Sequence, residues 1–183
     1  MEGDVERDRE VIRLRDENLM LKQRIADLDA MAHEDHLLCL PNRRGLMREI
    51  DRLISRCHRY DESCALLFLD FDGLKRVNDL HGHIAGDAAM VHVTQLLGKA
   101  LRASDVLGRF GGDEFCVLLA HVSEKQARDT ADRLAKAVEN GGFTYEGKPV
   151  PLSVTIGITM VSEDDCADSL LRRADQDMYR HKG

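Results

Sequence analysis

The sequence holds only three prolines in 183 residues, too few for a chain that stays disordered. Hydrophobic residues make up 43%, enough to build a core. An excess of positive charge is also missing: 26 Lys and Arg stand against 33 Asp and Glu, a formal charge of −7. A general nucleic-acid binder needs a basic face to displace condensed counterions, so that class is excluded. No apolar run approaches the roughly 20 residues that span a bilayer, and charge from the second residue onward rules out a signal peptide. The five cysteines (Cys39, Cys57, Cys64, Cys116 and Cys166) form no CxxC pair and show no metal-ligand spacing. Several fall inside apolar patterns, where a thiol behaves as a small hydrophobe. These absences predict a soluble, reduced, cytoplasmic chain with no membrane segment. A GxxxxGK[ST] phosphate cradle is absent too, so a bound anion needs another device, and metal ions held by carboxylates are one.

The length suits one domain plus an appendage. Residues 5–35 are highly charged, and their apolar positions follow a heptad. Val11, Asn18, Ile25 and Ala32 share one seam position, and Leu14, Leu21 and Leu28 share the other. In a parallel dimer of this register Glu10 faces the partner's Arg15, Glu17 the partner's Lys22, and Arg24 the partner's Asp29, each pair opposite in sign. Asn18 is the buried polar residue that fixes register and two-strandedness at a cost in stability. The alternative is a single amphipathic helix folded back on its own domain. The heptad fails at Asp35, which divides the chain into a coil over 1–34 and a globular domain over 35–183. His33 and His36, three apart, read as surface or linker residues, since no third ligand is near. No sensory domain precedes the coil, which leaves a catalytic fragment of a longer protein or a small enzyme under a partner's control.

Beyond Pro41 a helix is expected to about Tyr60, with Leu46, Ile50, Leu53, Ile54 and Cys57 on one face. The run ALLFLDFD over 65–72 has strand length and ends in acids. A helix over 86–103 follows, then a hairpin from Val106 to Leu119 around Gly111-Gly112. Ser123 and Gln126 form a capping box that opens a helix to about Glu139. A short strand, a longer one in PLSVTIGITMV, and a helix over roughly 165–182 complete the chain. Helices and strands alternate, but the hairpins require a sheet that is not purely parallel. The fold class is α/β of the α+β kind, a mixed central sheet flanked by helices.

Two glycines followed at once by Asp113 and Glu114, at the mouth of an apolar strand, pose the chemical question. Asp70 and Asp72 close another strand, and strand ends in one sheet can meet. Carboxylate oxygens are the hard ligands Mg²⁺ takes, one or two per ion, with phosphate and water filling the rest. On spacing alone, a solvated turn explains Asp113 and Glu114 equally well.

The wider pattern resembles the GGDEF family of diguanylate cyclases, from Asp35 to Lys182. Arg109-Phe110-Gly111-Gly112-Asp113-Glu114-Phe115 matches the signature. Asp70-Phe71-Asp72-Gly73-Leu74-Lys75-Arg76-Val77-Asn78-Asp79 is similar to the family's D-x-D-x-x-K-x-x-N-D, and Gly82-His83-Ile84-Ala85-Gly86-Asp87 to its G-H-x-x-G-D. DHLLCLPNRR resembles D-x-L-T-G-L-P-N-R with Leu38 and Cys39 replacing Thr and Gly, and RADQDMYRHK resembles A-D-x-A-L-Y-x-A-K. The resemblance implies a palm-like domain, similar to nucleotidyl cyclase and polymerase palms, that joins two GTP molecules into cyclic di-GMP. It implies Mg²⁺, with Mn²⁺ as the alternative ion, on Asp70, Asp113 and the carbonyl of Phe71. Asp113 helps deprotonate the attacking 3′-hydroxyl, and Glu114 supports the same acidic centre. Asn78 and Asp87 read the guanine edge, which suits an amide and a carboxylate. His83 touches substrate, and Lys75 and Lys182 stabilise charge growing on the phosphates. Gly111 and Gly112 admit phosphates close to the backbone. The arginine of the family's usual G-R-N continuation is absent.

Arg102-Ala103-Ser104-Asp105 is similar to the R-x-x-D at which many family members bind their own product. Arg133 is a further contact there, so product inhibition is expected. The family reaction needs two domains face to face, each with one GTP, which gives the coil a catalytic purpose as a homodimer contact. A cyclic di-GMP sensor without catalysis, or a coiled-coil adaptor that has lost nucleotide binding, is the alternative; the complete set Asp70, Lys75, Asn78 and Gly111 to Phe115 favours the enzyme.

Overall fold

A computed structural model describes residues 2–182. It opens with one long helix, α1 (Glu2–His33). α2 (Arg43–Tyr60), β1 (Ala65–Asp72), α3 (Leu74–His81) and α4 (His83–Ala100) follow. β2 (Val106–Gly111) and β3 (Glu114–Leu119) form the hairpin; α5 (Glu124–Glu139), β4 (Thr144–Tyr145), β5 (Lys148–Pro149), β6 (Ser153–Met160) and α6 (Ala167–His181) complete the order.

The main sheet runs β2-β3-β1-β6. Each of its pairings is antiparallel, further from a parallel sheet than the alternation of elements suggested. β1 lies in the middle and is covered on both faces, which is why ALLFL reads as an unbroken apolar run. Ala65, Leu67, Leu69 and Phe71 pack with α3, α4 and α5. Leu66 and Phe68 point the other way, onto Leu46, Ile50 and Ile54 of α2 and Leu170 and Ala174 of α6. The pleat alternates side chains, so Asp70 belongs to the α2/α6 face. Asp70 is a buried charge, 7% exposed, at the end of that face.

Local chemistry sets the element ends. Asn42 caps α2, its Oδ1 accepting from Arg44 N at 2.9 Å and Gly45 N at 3.1 Å. The Ser123–Gln126 capping box opens α5 as expected. The helix expected over 86–103 starts earlier, at His83, and stops at Ala100, where Leu101 turns extended at ψ 159°. A second helix, α3, precedes it, and the sequence reading assigned none there; eight residues give too few turns for a periodicity to show.

Among its described residues, α1 does not fold back on the domain. Leu14, Leu21, Ile25 and Leu28 are each more than half exposed; the side chain of Val11, assigned to the same seam, lies outside the described residues. Near its end Asp29 meets Arg48 of α2 at 3.3 Å and His33 at 3.2 Å, partners that compete with the expected Arg24 of a second chain. His36 is exposed. Among the described residues no helix is long and apolar enough to cross a membrane.

Candidate active site

The acids that the sequence placed on separate strands come together at one end of the sheet. β1 and β3 pair in a register that sets Asp70 opposite Glu114. One step further, Phe71 N donates to the carbonyl of Asp113 at 2.9 Å. Asp113 therefore sits in the hairpin turn beside the β1 backbone, and Glu114 is the first residue of β3. Gly112, at φ +42°, adopts a conformation that side chains rarely take. A Cβ at Gly112 would meet nothing within 4 Å, and one at Gly111 only Glu114 Oε2 at 3.7 Å. Open space thus faces the turn.

The electrostatics of this corner are those of a site short of cations. Burial pushes the Glu114 carboxyl up, and the nearby charges of Asp113, Asp70 and Asp175 push it further, with Lys182 partly offsetting them. Asp175, on α6, is an acid of this centre that the sequence reading left unassigned; it stands in the matched A-D block, so the signal was available. Lys182 Nζ donates to Asp70 Oδ2 at 2.7 Å. That hydrogen bond, and then the charges of Asp70, Asp72 and Asp113, hold the ammonium more firmly protonated than usual. Asp72 turns away, accepting from Ser153 Oγ at 3.0 Å and Thr155 Oγ1 at 2.9 Å.

Mg²⁺ or Mn²⁺ fits this donor set. Among the described residues no three His, Cys, Asp or Glu converge tightly enough to hold an ion by themselves. Mg²⁺ takes one or two carboxylates and completes its shell with phosphate oxygens and water. Asp70 and Asp113 would supply two, the Phe71 carbonyl would add a neutral oxygen, and a bound cation would relieve the like-charge crowding around Glu114.

α3 and α4 meet at the turn through Gly82, whose N–H donates to Asn78 O at 2.8 Å. Asn78 packs directly on Gly86: a Cβ there would lie 2.0 Å from Asn78 Oδ1. Asp87, the next residue, and His83 are exposed. Among the described residues no hydrogen bond or ion pair holds the side chains of Lys75, His83 or Asp87, which leaves them available to a ligand.

Arg102, Asp105 and Arg133 gather at another corner, the end of α4. Asp105 Oδ2 accepts from Arg102 N at 2.9 Å, closing its own turn. Arg133 Nε and NH2 donate to Ala100 O at 3.3 and 3.1 Å, so this arginine covers an orphan carbonyl at the helix end. The Arg102 side chain is exposed.

Residues 32–183 match the family model described as diguanylate cyclase, GGDEF domain. Over 158 residues the chain is 36% identical to the diguanylate cyclase DgcP of Pseudomonas aeruginosa, covering 86% of this chain and 24% of that protein. It is 38% identical over 169 residues to the diguanylate cyclase TpbB of the same organism, covering 91% of this chain and 37% of TpbB. The chain therefore spans about a quarter to a third of the length of these relatives. A crystal structure of the coiled coil and GGDEF domain of DgcB from Caulobacter crescentus, in complex with c-di-GMP, superposes with a TM-score of 0.85, covering 93% of this chain and 92% of that one at 23% identity. The chain belongs to the GGDEF family.

Proposed function

We propose that this protein is a diguanylate cyclase that condenses two GTP into cyclic di-GMP and two pyrophosphates. Carrying the reading is the single juxtaposition of Asp113 with the end of β1, bonded at 2.9 Å beside Asp70. That contact brings acids from two distant stretches to one end of the sheet, which supports a single cation bound by both. Asp70, Asp113 and the Phe71 carbonyl would hold Mg²⁺, which would supply charge neutralisation at the α-phosphate and acidify the hydroxyl nucleophile. Asn78 and Asp87 orient the guanine through its N1–H and N2–H₂ donors. Gly111 and Gly112 leave room for phosphate oxygens against the backbone. Lys75 and Lys182 offset charge on the phosphates, Lys182 exchanging Asp70 for a phosphate oxygen once a cation arrives. Asp113 accepts the proton of the attacking 3′-hydroxyl, and Glu114 sustains the negative field that holds the cation. His83, exposed at the start of α4, contacts the nucleotide.

Each domain carries one GTP, so each hydroxyl must meet an α-phosphate bound to the other domain. The exposed leucines of α1 support a parallel coiled coil over residues 1–34 that joins two catalytic domains, residues 35–183, as a homodimer. Cyclic di-GMP bound at Arg102 and Asp105, near Arg133, provides product inhibition. The protein acts in the cytoplasm, where GTP is found. The test is purified protein with GTP and Mg²⁺, followed by chromatography for cyclic di-GMP and pyrophosphate. Product in a ratio of one to two is expected, lost in a folded Asp113→Asn variant and reduced when Leu21→Asp and Leu28→Asp break the dimer. Unconverted GTP in the wild-type protein overturns the proposal.

A further inference from the structure

One side chain joins the turn after α1 to the signature turn, and the proposed chemistry gives it no task. Arg109 Nε and NH2 donate to the Gly112 carbonyl at 3.0 and 2.7 Å. Its third nitrogen, NH1, donates to Asp35 Oδ2 at 2.9 Å. Both side chains are largely buried, 21% and 18% exposed. The other oxygen of Asp35 is already committed, accepting from Leu37 N at 3.0 Å and Leu38 N at 2.9 Å. Asp35 cannot swing without undoing its own turn.

The backbone repeats the connection. Arg109 N donates to Pro41 O at 2.8 Å, and Asn42 N to His33 O at 2.8 Å. Asn42 Nδ2 reaches back to Ala32 O at 3.1 Å. On the other side, the Gly112 carbonyl belongs to the peptide that begins Asp113, and the carbonyl of Asp113 is held by Phe71 N. The peptide before Asp113 and the peptide after it are thus both clamped, one by the guanidinium fork and one by β1. The fork matters because Gly112 by itself leaves the turn free to change conformation.

We propose that Arg109 is a positioning residue for Asp113 and that Asp35 locks it in place, so that the end of α1 and the acidic turn move as one body. This rests on the proposed role of Asp113 in holding a cation. A bend of α1 at His33 then reaches Asp113 through Asn42, Pro41 and the Asp35–Arg109 pair without deforming the sheet. Lysine cannot substitute, since an ammonium is a point charge and cannot hold Gly112 and Asp35 at fixed mutual angles.

The test measures Mn²⁺ binding by electron paramagnetic resonance on the full chain with a nonhydrolysable GTP analogue. Wild type, Asp35→Asn, Arg109→Lys and the double variant are compared. Asp35→Asn keeps an acceptor for Leu37 and Leu38 but sets an amide donor or a neutral oxygen against the guanidinium. Arg109→Lys keeps the charge and loses the fork. Each single variant is expected to weaken Mn²⁺ binding about tenfold, the scale of one charge-assisted contact. The double variant is expected to be no worse than the weaker single one, because the two residues act as a unit. kcat falls with Mn²⁺ affinity while the KM for GTP holds, since Asn78 and Asp87 are untouched; a general loss of structure would move both. Should Asp35→Asn fail to fold, Arg109→Lys decides alone. Equal Mn²⁺ affinity in all folded variants, or additive losses in the double one, overturns the positioning role and leaves the site reading standing. Absence of Mn²⁺ binding in the wild type overturns both.

Discussion

Gly86→Ala is the sharpest small perturbation available at the nucleotide site. In a helix interior this exchange normally stabilises by roughly 0.5–1 kcal/mol. Here the new Cβ would lie 2.0 Å from Asn78 Oδ1, 2.9 Å from its Cγ and 3.3 Å from its Nδ2. Ordinary contact begins at 3.4 Å, so the amide oxygen is 1.4 Å too close. Asn78 must leave its position or α3 must shift away from α4. Overpacking of this kind costs about 1–3 kcal/mol, which outweighs the helix gain and lowers Tm by a few degrees. A displacement near 1 Å of a group that orients substrate costs on the order of 100-fold in rate. The assay is cyclase turnover and GTP affinity, with ITP compared because it lacks the N2 amine. Gly86→Ala should lose most of its preference for GTP over ITP. Gly98→Ala, in the same helix with nothing within 4 Å of its Cβ, is the control and should gain stability with activity unchanged. If Gly86→Ala binds GTP as tightly and as selectively as the wild type, Asn78 does not read the base.

Three further outcomes are expected. Lys182→Met removes the ammonium that competes for Asp70; for a half-exposed ion pair worth at most about 1 kcal/mol, Mn²⁺ binding without nucleotide should tighten by up to about fivefold while GTP binding weakens, and calorimetry reads both. Asp165 is desolvated, which raises its carboxyl, but bonds from Ser162 and Ser169 and the charge of Arg173 outweigh that and hold it below the usual range. Its stabilisation is complete above the unfolded carboxyl pKa and is lost as pH falls through the folded one, so the Tm deficit of Asp165→Asn should be largest at pH 7 and shrink on acidification below about pH 4. Burial pushes the Cys57 thiol up to about 12 and raises Cys116 as well, whereas Cys39 and Cys166 are exposed. A thiol-reactive dye should label two sites rapidly in the native protein, Cys166 first because hydrogen bonding from Ser169 lowers its thiol, and five in denaturant.

The covered strand β1, the hairpin and the capped helix α5 were legible because each carries a local signal: an apolar run, a Gly-Gly turn, a capping box. α3 was not, since eight residues between two glycines show no period. The nearness of Asp70 to Asp113 was a matter of strand register, which no local pattern fixes; the matched blocks suggested it and the β1–β3 pairing supplies it. Asp35 and Arg109 each stood inside a quoted block, yet their bond spans 74 positions and only the folded chain reveals it. Arg133, expected as a further contact at the Arg102 corner, donates to the α4 carbonyl of Ala100, a bond that no sequence pattern announces.

The central claim concerns where one cation sits, and anomalous diffraction from crystals grown with Mn²⁺ and a nonreactive GTP analogue addresses it directly. The account predicts an anomalous peak within bonding distance of a carboxylate oxygen of Asp70, the carbonyl of Phe71 and a carboxylate oxygen of Asp113, with Lys182 moved onto phosphate. Nucleotide bound with no peak there, and Lys182 still paired with Asp70, would contradict it.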